Sequence, residues 1–120
     1  MAKFDLIGLG NALVDSEFHV TDSFLKKKGF EKGTMHLVDS DEQTNLLNSL
    51  EKEYGKPSLA CGGSATNTIF AASILGSSCS YICKVGNDKN GNFYLDDLSD
   101  AGVNIDHSVM LDSNINSGTC

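Results

Sequence analysis

The 120-residue chain has no apolar run long enough to cross a bilayer, no cysteines two residues apart, and few basic residues. Its longest apolar stretches fall far short of the ~20 residues that a membrane helix needs, so no transmembrane segment is expected. Met1-Ala2-Lys3-Phe4-Asp5 has no long apolar stretch behind its basic residue, which argues against a secretory signal and for a cytoplasmic protein. Cys61, Cys79, Cys83 and Cys120 form no C-x-x-C pair of the zinc or redox type. Cys79 and Cys83 would share a face in β-register and read as buried thiols. The formal net charge of −7 argues against nonspecific binding to nucleic acid, which needs clustered Lys and Arg. The only basic run, Lys26-Lys27-Lys28, reads as the solvated end of a helix, where positive charge complements the macrodipole.

The stretch that organises the chain is Cys61-Gly62-Gly63-Ser64-Ala65-Thr66-Asn67, running on through Ile69, Ala72 and Leu75 to Gly76. Ala65, Ile69, Ala72 and Leu75 recur at helical spacing as one apolar stripe, and Gly76 suits a left-handed stop. Gly62 and Gly63 let the backbone turn and a ligand approach closely, while the free N–H groups of the first helical turn face whatever sits there. Asn67, four residues after Gly63, leans back over the glycine pair and offers a donor and an acceptor, as hydroxyl recognition requires. A tight strand-to-helix turn would use the same glycines without any ligand.

Around this stretch the pattern alternates strands and helices. Phe4 to Gly10 is a short apolar run of the kind that forms a buried parallel strand. Gly8-Leu9-Gly10-Asn11-Ala12-Leu13 invites a dinucleotide-fold reading, but Leu13 stands where the third glycine belongs and no acidic residue follows at the usual distance. From Val14 to Val20 apolar and polar residues alternate, with Asp15, Glu17 and His19 on the wet face. Thr21 or Asp22 caps a short helix that Gly29 closes. Gly33 to Asp39 alternates again and reads as a strand, with His36 on its surface. Ser40 and Gln43 read as a capping box for a helix with Leu46, Leu47, Leu50 and Tyr54 on its buried side and Gly55 and Pro57 at its end. Residues 58–61 make a brief strand into the glycine pair, and residues 78–86 a strand after the helix, in a β-α-β unit of right-handed crossover. Asn87 or Asp88 caps a last helix, with Gly91, Leu95, Leu98 and Ala101 on one face and Gly102 at its end.

Gly62-Gly63-Ser64-Ala65-Thr66-Asn67 with the following Thr68 to Gly76 resembles the first signature of the ribokinase-like (PfkB) carbohydrate and nucleoside kinases. Gly8 to Asp15 resembles the opening of the adenosine-kinase-type members, as does Ser117-Gly118-Thr119-Cys120. Lys84 to Gly91, with Leu98 and Ala101-Gly102-Val103, resembles a second block of the same family, mainly structural there.

The resemblance implies a three-layer α/β/α fold with a mostly parallel, doubly wound sheet and a small β-sheet lid, its strands at about 13–20, 33–39, 58–61 and 108–120. It implies an acceptor site of Asn11, Asp15, Gly62, Gly63, Ser64 and Asn67, and an ATP-dependent kinase acting with Mg2+ on a primary hydroxyl of a nucleoside or sugar. Adenosine-like acceptors lead because Asn11 and Asp15 stand four residues apart after Gly10. A homodimer through the lid is a further expectation. The family's Gly-Ala-Gly-Asp run, which carries its catalytic base, is absent from these residues, as is the ATP site. The chain is therefore expected to be the acceptor side of a longer enzyme and inactive alone. The alternatives are a noncatalytic ribokinase-fold binding or regulatory protein, and a dinucleotide-binding domain.

Overall fold

The computed structural model describes residues 3–106 and 111–120. Its elements are β1 (Leu6–Leu9), β2 (Leu13–Glu17), α1 (Asp22–Lys28), α2 (Ser40–Tyr54), β3 (Ser58–Gly62), α3 (Ser64–Ile74), β4 (Cys79–Ile82), β5 (Val85–Gly86), α4 (Lys89–Asp100), β6 (Leu111–Asp112) and β7 (Gly118–Thr119). They fall into two compact units: residues up to Ser16 together with those from Leu59 onward, and Glu17–Ser58.

In the first unit β1 and β4 run parallel, with Leu6 opposite Cys79 and Leu9 opposite Ile82. The far edge of β4 is bridged in parallel at Ser80 and Asn104. α3 packs on both strands, and the core gathers Val14, Ile69, Cys79, Tyr81, Cys83, Val85, Tyr94, Leu95, Leu98 and Val103. A second sheet has the order β3-β2-β7, with β2 and β7 parallel, and β5 pairs in parallel with β6. α4 begins at Asp88, whose carboxylate accepts from the Gly91 N–H at 2.8 Å, and Gly102 beyond its end has φ +84°.

In the second unit Thr21 caps α1 by accepting from the Phe24 N–H, Gly29 (φ +76°) stops it, and Lys26, Lys27 and Lys28 occupy its last turn as expected. Phe24 is buried and meets Tyr54 edge-on, ring centres 5.3 Å apart. The capping box of α2 lies one residue earlier than expected. Asp39 rather than Ser40 is the cap, and Glu42 rather than Gln43 returns the bond, because a carboxylate at Asp39 accepts from both Asp41 and Glu42 N–H groups.

Four strand expectations change. The strand expected at 33–39 does not form: Thr34 donates through its hydroxyl to the Glu31 carbonyl at 2.8 Å and meets His36 Nε2 at 2.8 Å, so the segment satisfies itself in a local turn, leaving Met35 and Leu37 86% and 91% exposed. The strand from Val14 stops at Glu17, short of Val20. The stretch 78–86 is two strands, because after Ile82 the chain leaves β1 and Val85 turns to pair with Leu111. Of the expected 108–120 strand region, Gly118–Thr119 joins the β2 sheet while Leu111–Asp112 pairs with β5, and residues 107–110 lie outside the described ones.

β1 is also less buried than its composition suggests. Gly8 faces α3, and a Cβ there would meet Ile69 Cγ1 at 2.5 Å and Tyr81 Cδ2 at 2.8 Å, whereas Ile7 and Leu9 are exposed. A Cβ on Gly10 would meet the Tyr81 hydroxyl at 2.7 Å and Ala65 Cβ at 2.9 Å. Glycines at 8 and 10 thus let helix and strand approach closely, a packing role that accounts for Gly-x-Gly without a dinucleotide.

Candidate functional site

β3 carries the chain to Gly62, Gly63 turns it at φ +97°, and α3 starts at Ser64. Among the described residues no side chain caps α3, and Ser64 at its start is exposed. Asn67 donates its own N–H to the Gly63 carbonyl at 2.9 Å, one helical turn after that residue.

Asp15 comes from β2, the neighbour of β3. Its carboxylate lies so close to Gly62 that a Cβ on that residue would meet Asp15 Cγ and Oδ2 at 2.7 Å. Asn11, in the loop between β1 and β2, meets the pair through its main-chain carbonyl, 2.9 Å from where a Cβ on Gly63 would stand. The two glycines thus make room for two different neighbours, a carboxylate at 62 and a backbone at 63. Asn11, Asp15, Ser64 and Asn67 are exposed, while Gly62 is buried beneath them. The geometry therefore gathers Asp15, Gly62, Gly63 and the Asn11 backbone at the amino end of α3, with Ser64 and Asn67 on the same first turn.

Beneath this surface lies a set of residues that sequence reasoning did not single out. Thr66, Tyr81 and Tyr94 have no exposed surface. Thr66 Oγ1 donates to Tyr81 Oη at 2.9 Å and also meets Tyr94 Oη. The Tyr81 hydroxyl donates to the Asn11 carbonyl at 3.3 Å, and the Tyr94 hydroxyl to the Gly62 carbonyl at 3.2 Å. Burial pushes the Tyr94 phenol well above its usual range, so it remains a donor. The available signal was the spacing: Thr66 stands three residues before Ile69, and Tyr94 lies between Gly91 and Leu98 on the buried face of α4.

Cys61 is half-buried beside the site, and its Sγ donates to the Tyr94 carbonyl at 3.4 Å. Burial, with Asp97 nearby, drives its thiol far above the ordinary range, which suits a packed thiol and not a nucleophile. Cys83 is likewise buried and pushed up to about 11 by desolvation. Asp88 is held below the ordinary carboxylate range: burial works against this, but the Ser117 and Gly91 N–H groups, each at 2.8 Å, outweigh it. It is occupied in capping α4 and tethering the 117 segment. His36 sits in the 31–36 turn of the second unit. Among the described residues no group of three His, Cys, Asp or Glu is placed to hold a metal, and no helix is long and apolar enough to cross a membrane.

Known proteins give this geometry a context. Residues 34–120 match the model of the pfkB family carbohydrate kinases. The chain is 29% identical over 118 residues to adenosine kinase 2 of Arabidopsis thaliana, covering 96% of this chain and 33% of that one. Its fold superposes on the crystal structure of adenosine kinase from Sinorhizobium meliloti with a TM-score of 0.70 and 37% identity, over 88% of this chain and 31% of that one. A probable sugar kinase from Rhizobium etli CFN 42 gives 0.69 and 31%, over 98% and 32%. The chain thus spans about a third of the length of these relatives. With a glycine-led α3, parallel strands and a match over most of its length, the chain belongs to the pfkB family of carbohydrate kinases and has their ribokinase-like α/β fold.

Proposed function

We propose that the protein is an ATP-dependent kinase that phosphorylates a primary hydroxyl of an adenosine-like nucleoside or of a sugar, and that this chain forms the acceptor-binding side. One observation carries the reading: the Asp15 carboxylate lies against Gly62 at the amino end of α3. A glycine turn leading into a helix would, by itself, welcome an anion. A carboxylate held at that turn repels phosphate and attracts donors, so the edge suits a ligand rich in hydroxyl groups. Such hydroxyls donate to Asp15 and accept from the α3 N–H groups, with the Asn67 and Asn11 amides and the Ser64 hydroxyl at the rim.

For the same reason these residues do not fit the triphosphate of ATP, and no step of transfer is assigned to them. Their part is to bind the acceptor, turn its primary hydroxyl outward and exclude water, which supplies the positioning on which phosphoryl transfer depends. The β3-β2-β7 sheet, which carries Asp15, is read as the lid over this acceptor. The likeness to adenosine kinases supports a nucleoside, and the likeness to a probable sugar kinase keeps sugars in the test.

The test uses a protein of the relatives' full length carrying this sequence. Incubated with ATP and magnesium, it should consume ATP with adenosine or a sugar and place the phosphate on the primary hydroxyl, and 5′-deoxyadenosine should be inert. ATP consumption independent of every acceptor, or tight acceptor binding with no transfer, would refute the kinase reading, the latter in favour of a binding protein.

A further inference from the structure

The three buried hydroxyls beneath the site join two backbone segments that are far apart in sequence. Carbonyls only accept, so the bonds to Asn11 and Gly62 take the protons of Tyr81 and Tyr94. Thr66 supplies the third proton, to Tyr81 or in turn to Tyr94, and stands between the two rings. The Asn11 carbonyl is also the atom that lies against Gly63, so one end of this chain of bonds touches each half of the glycine pair. Apolar side chains would fill the same space at least as well. Three mutually satisfied hydroxyls in a core are costly unless each bond is kept, and they hold geometry more tightly than apolar packing does.

We propose that Thr66, Tyr81 and Tyr94 are positioning residues that clamp the Asn11 loop to the Gly62–Gly63 turn, and so set the spacing of the surface where the acceptor binds. The inference rests on the acceptor-site reading above. Tyr94 reaches Gly62, whose α-carbon bears on Asp15, and Tyr81 reaches Asn11, so loosening either bond shifts the carboxylate side of the site against the amide side. The Thr66 hydroxyl is the link that makes the two bonds one unit, although its helix N–H and its neighbours Ser64 and Asn67 belong to α3.

In the full-length protein, Tyr94→Phe and Thr66→Val should raise the acceptor KM by about tenfold, as a misplacement of under 1 Å can. The ATP KM should stay unchanged, because the clamp touches only the acceptor side. Thr66→Ser, which keeps the hydroxyl, should restore the acceptor KM, and Tyr81→Phe should behave as Tyr94→Phe does. Amide hydrogen exchange without ligand should quicken at residues 11–15 and 62–67 in the two hydroxyl-less variants, and elsewhere remain as in the parent. A loss of melting temperature with unchanged acceptor KM, an equal rise in both KM values, or failure of Thr66→Ser to restore binding would overturn the clamp. If the parent turns over no acceptor, the functional reading has failed and exchange alone decides: selective quickening at the two segments upholds the clamp, and uniform or absent quickening sinks it. A Tyr94→Phe protein that does not fold leaves Tyr81→Phe and the Thr66 pair to decide by the same measurements.

Discussion

Replacing Gly62 by alanine isolates the feature on which the acceptor reading depends. Gly62 does not have a positive φ, so alanine meets no backbone strain there. What its Cβ meets is the carboxylate of Asp15, with Cγ and Oδ2 at 2.7 Å. Ordinary van der Waals contact is ~3.5 to 4.0 Å, so the carboxylate must withdraw by roughly 1 Å, and an exposed side chain can do so. The fold should survive and the site should not. If Asp15 accepts from the acceptor's hydroxyls, each charged hydrogen bond contributes about 1.5 to 3 kcal/mol, and Asp15→Ala should weaken acceptor binding by roughly tenfold to a hundredfold.

Gly62→Ala should then lose most of the same affinity with little change in melting temperature. The double variant should lose hardly more than Asp15→Ala alone, because both changes remove one interaction. Calorimetric titration of the full-length protein with adenosine, or with the best sugar found, measures all four corners of that cycle. Additive losses would show that Gly62 and Asp15 act separately, and an unchanged affinity in Gly62→Ala would show that the carboxylate is not where the acceptor binds. Gly63→Ala is the contrast, since its φ of +97° and the Asn11 carbonyl 2.9 Å from the new Cβ make it a folding defect.

Three further outcomes follow. Residues 1–120 alone should show no turnover with any acceptor, checked by phosphate transfer from labelled ATP, because the family's base-bearing Gly-Ala-Gly-Asp run is absent from them. Gly8→Ala should cost the full-length protein about 1 to 3 kcal/mol in urea unfolding, since the new Cβ meets Ile69 and Tyr81 at 2.5 and 2.8 Å, and unchanged stability would mean that β1 and α3 can part freely. Asp88 has a folded pKa below its unfolded value, so its stabilising effect is full above the unfolded value and is lost as pH falls through the folded one; Asp88→Asn should flatten the acid limb of the melting profile, and an unaltered limb would remove Asp88 as a cause.

What the sequence made legible was local. Gly29, Gly55, Gly76 and Gly102 mark the ends of four helices, and all four have positive φ. The glycine pair, Ser64 and Asn67 declare themselves because a turn and a first helical turn need no distant partner. Reading fails where the partner is remote or where a side chain competes with the strand ladder. Residues 33–39 alternate as a strand should, yet Thr34 and His36 settle the segment by hydrogen bonds within six residues. Leu75 completes a helical stripe on paper but lies past the end of α3, 86% exposed. Tyr81 and Tyr94 look like core aromatics in any pattern. Their contact with Thr66 spans 15 and 28 positions, a separation that no periodicity encodes.

The same two-glycine spelling therefore meets different neighbours at two places in one unit. At 8 and 10 the missing side chains admit Ile69, Tyr81 and Ala65, apolar or already hydrogen-bonded atoms that leave no room for a ligand. At 62 and 63 they admit a carboxylate and a carbonyl, both acceptors, with the exposed Ser64 and Asn67 of the α3 turn beside them. A surface that alternates fixed acceptors with free donors matches a row of hydroxyls, each of which gives one hydrogen bond and receives others. A phosphate offers only acceptors and would meet Asp15 with like charge. On the acceptor reading proposed above, the chemistry of the residue against the glycine, and not the glycine motif itself, would separate an acceptor site from a nucleotide cradle, and that residue is Asp15.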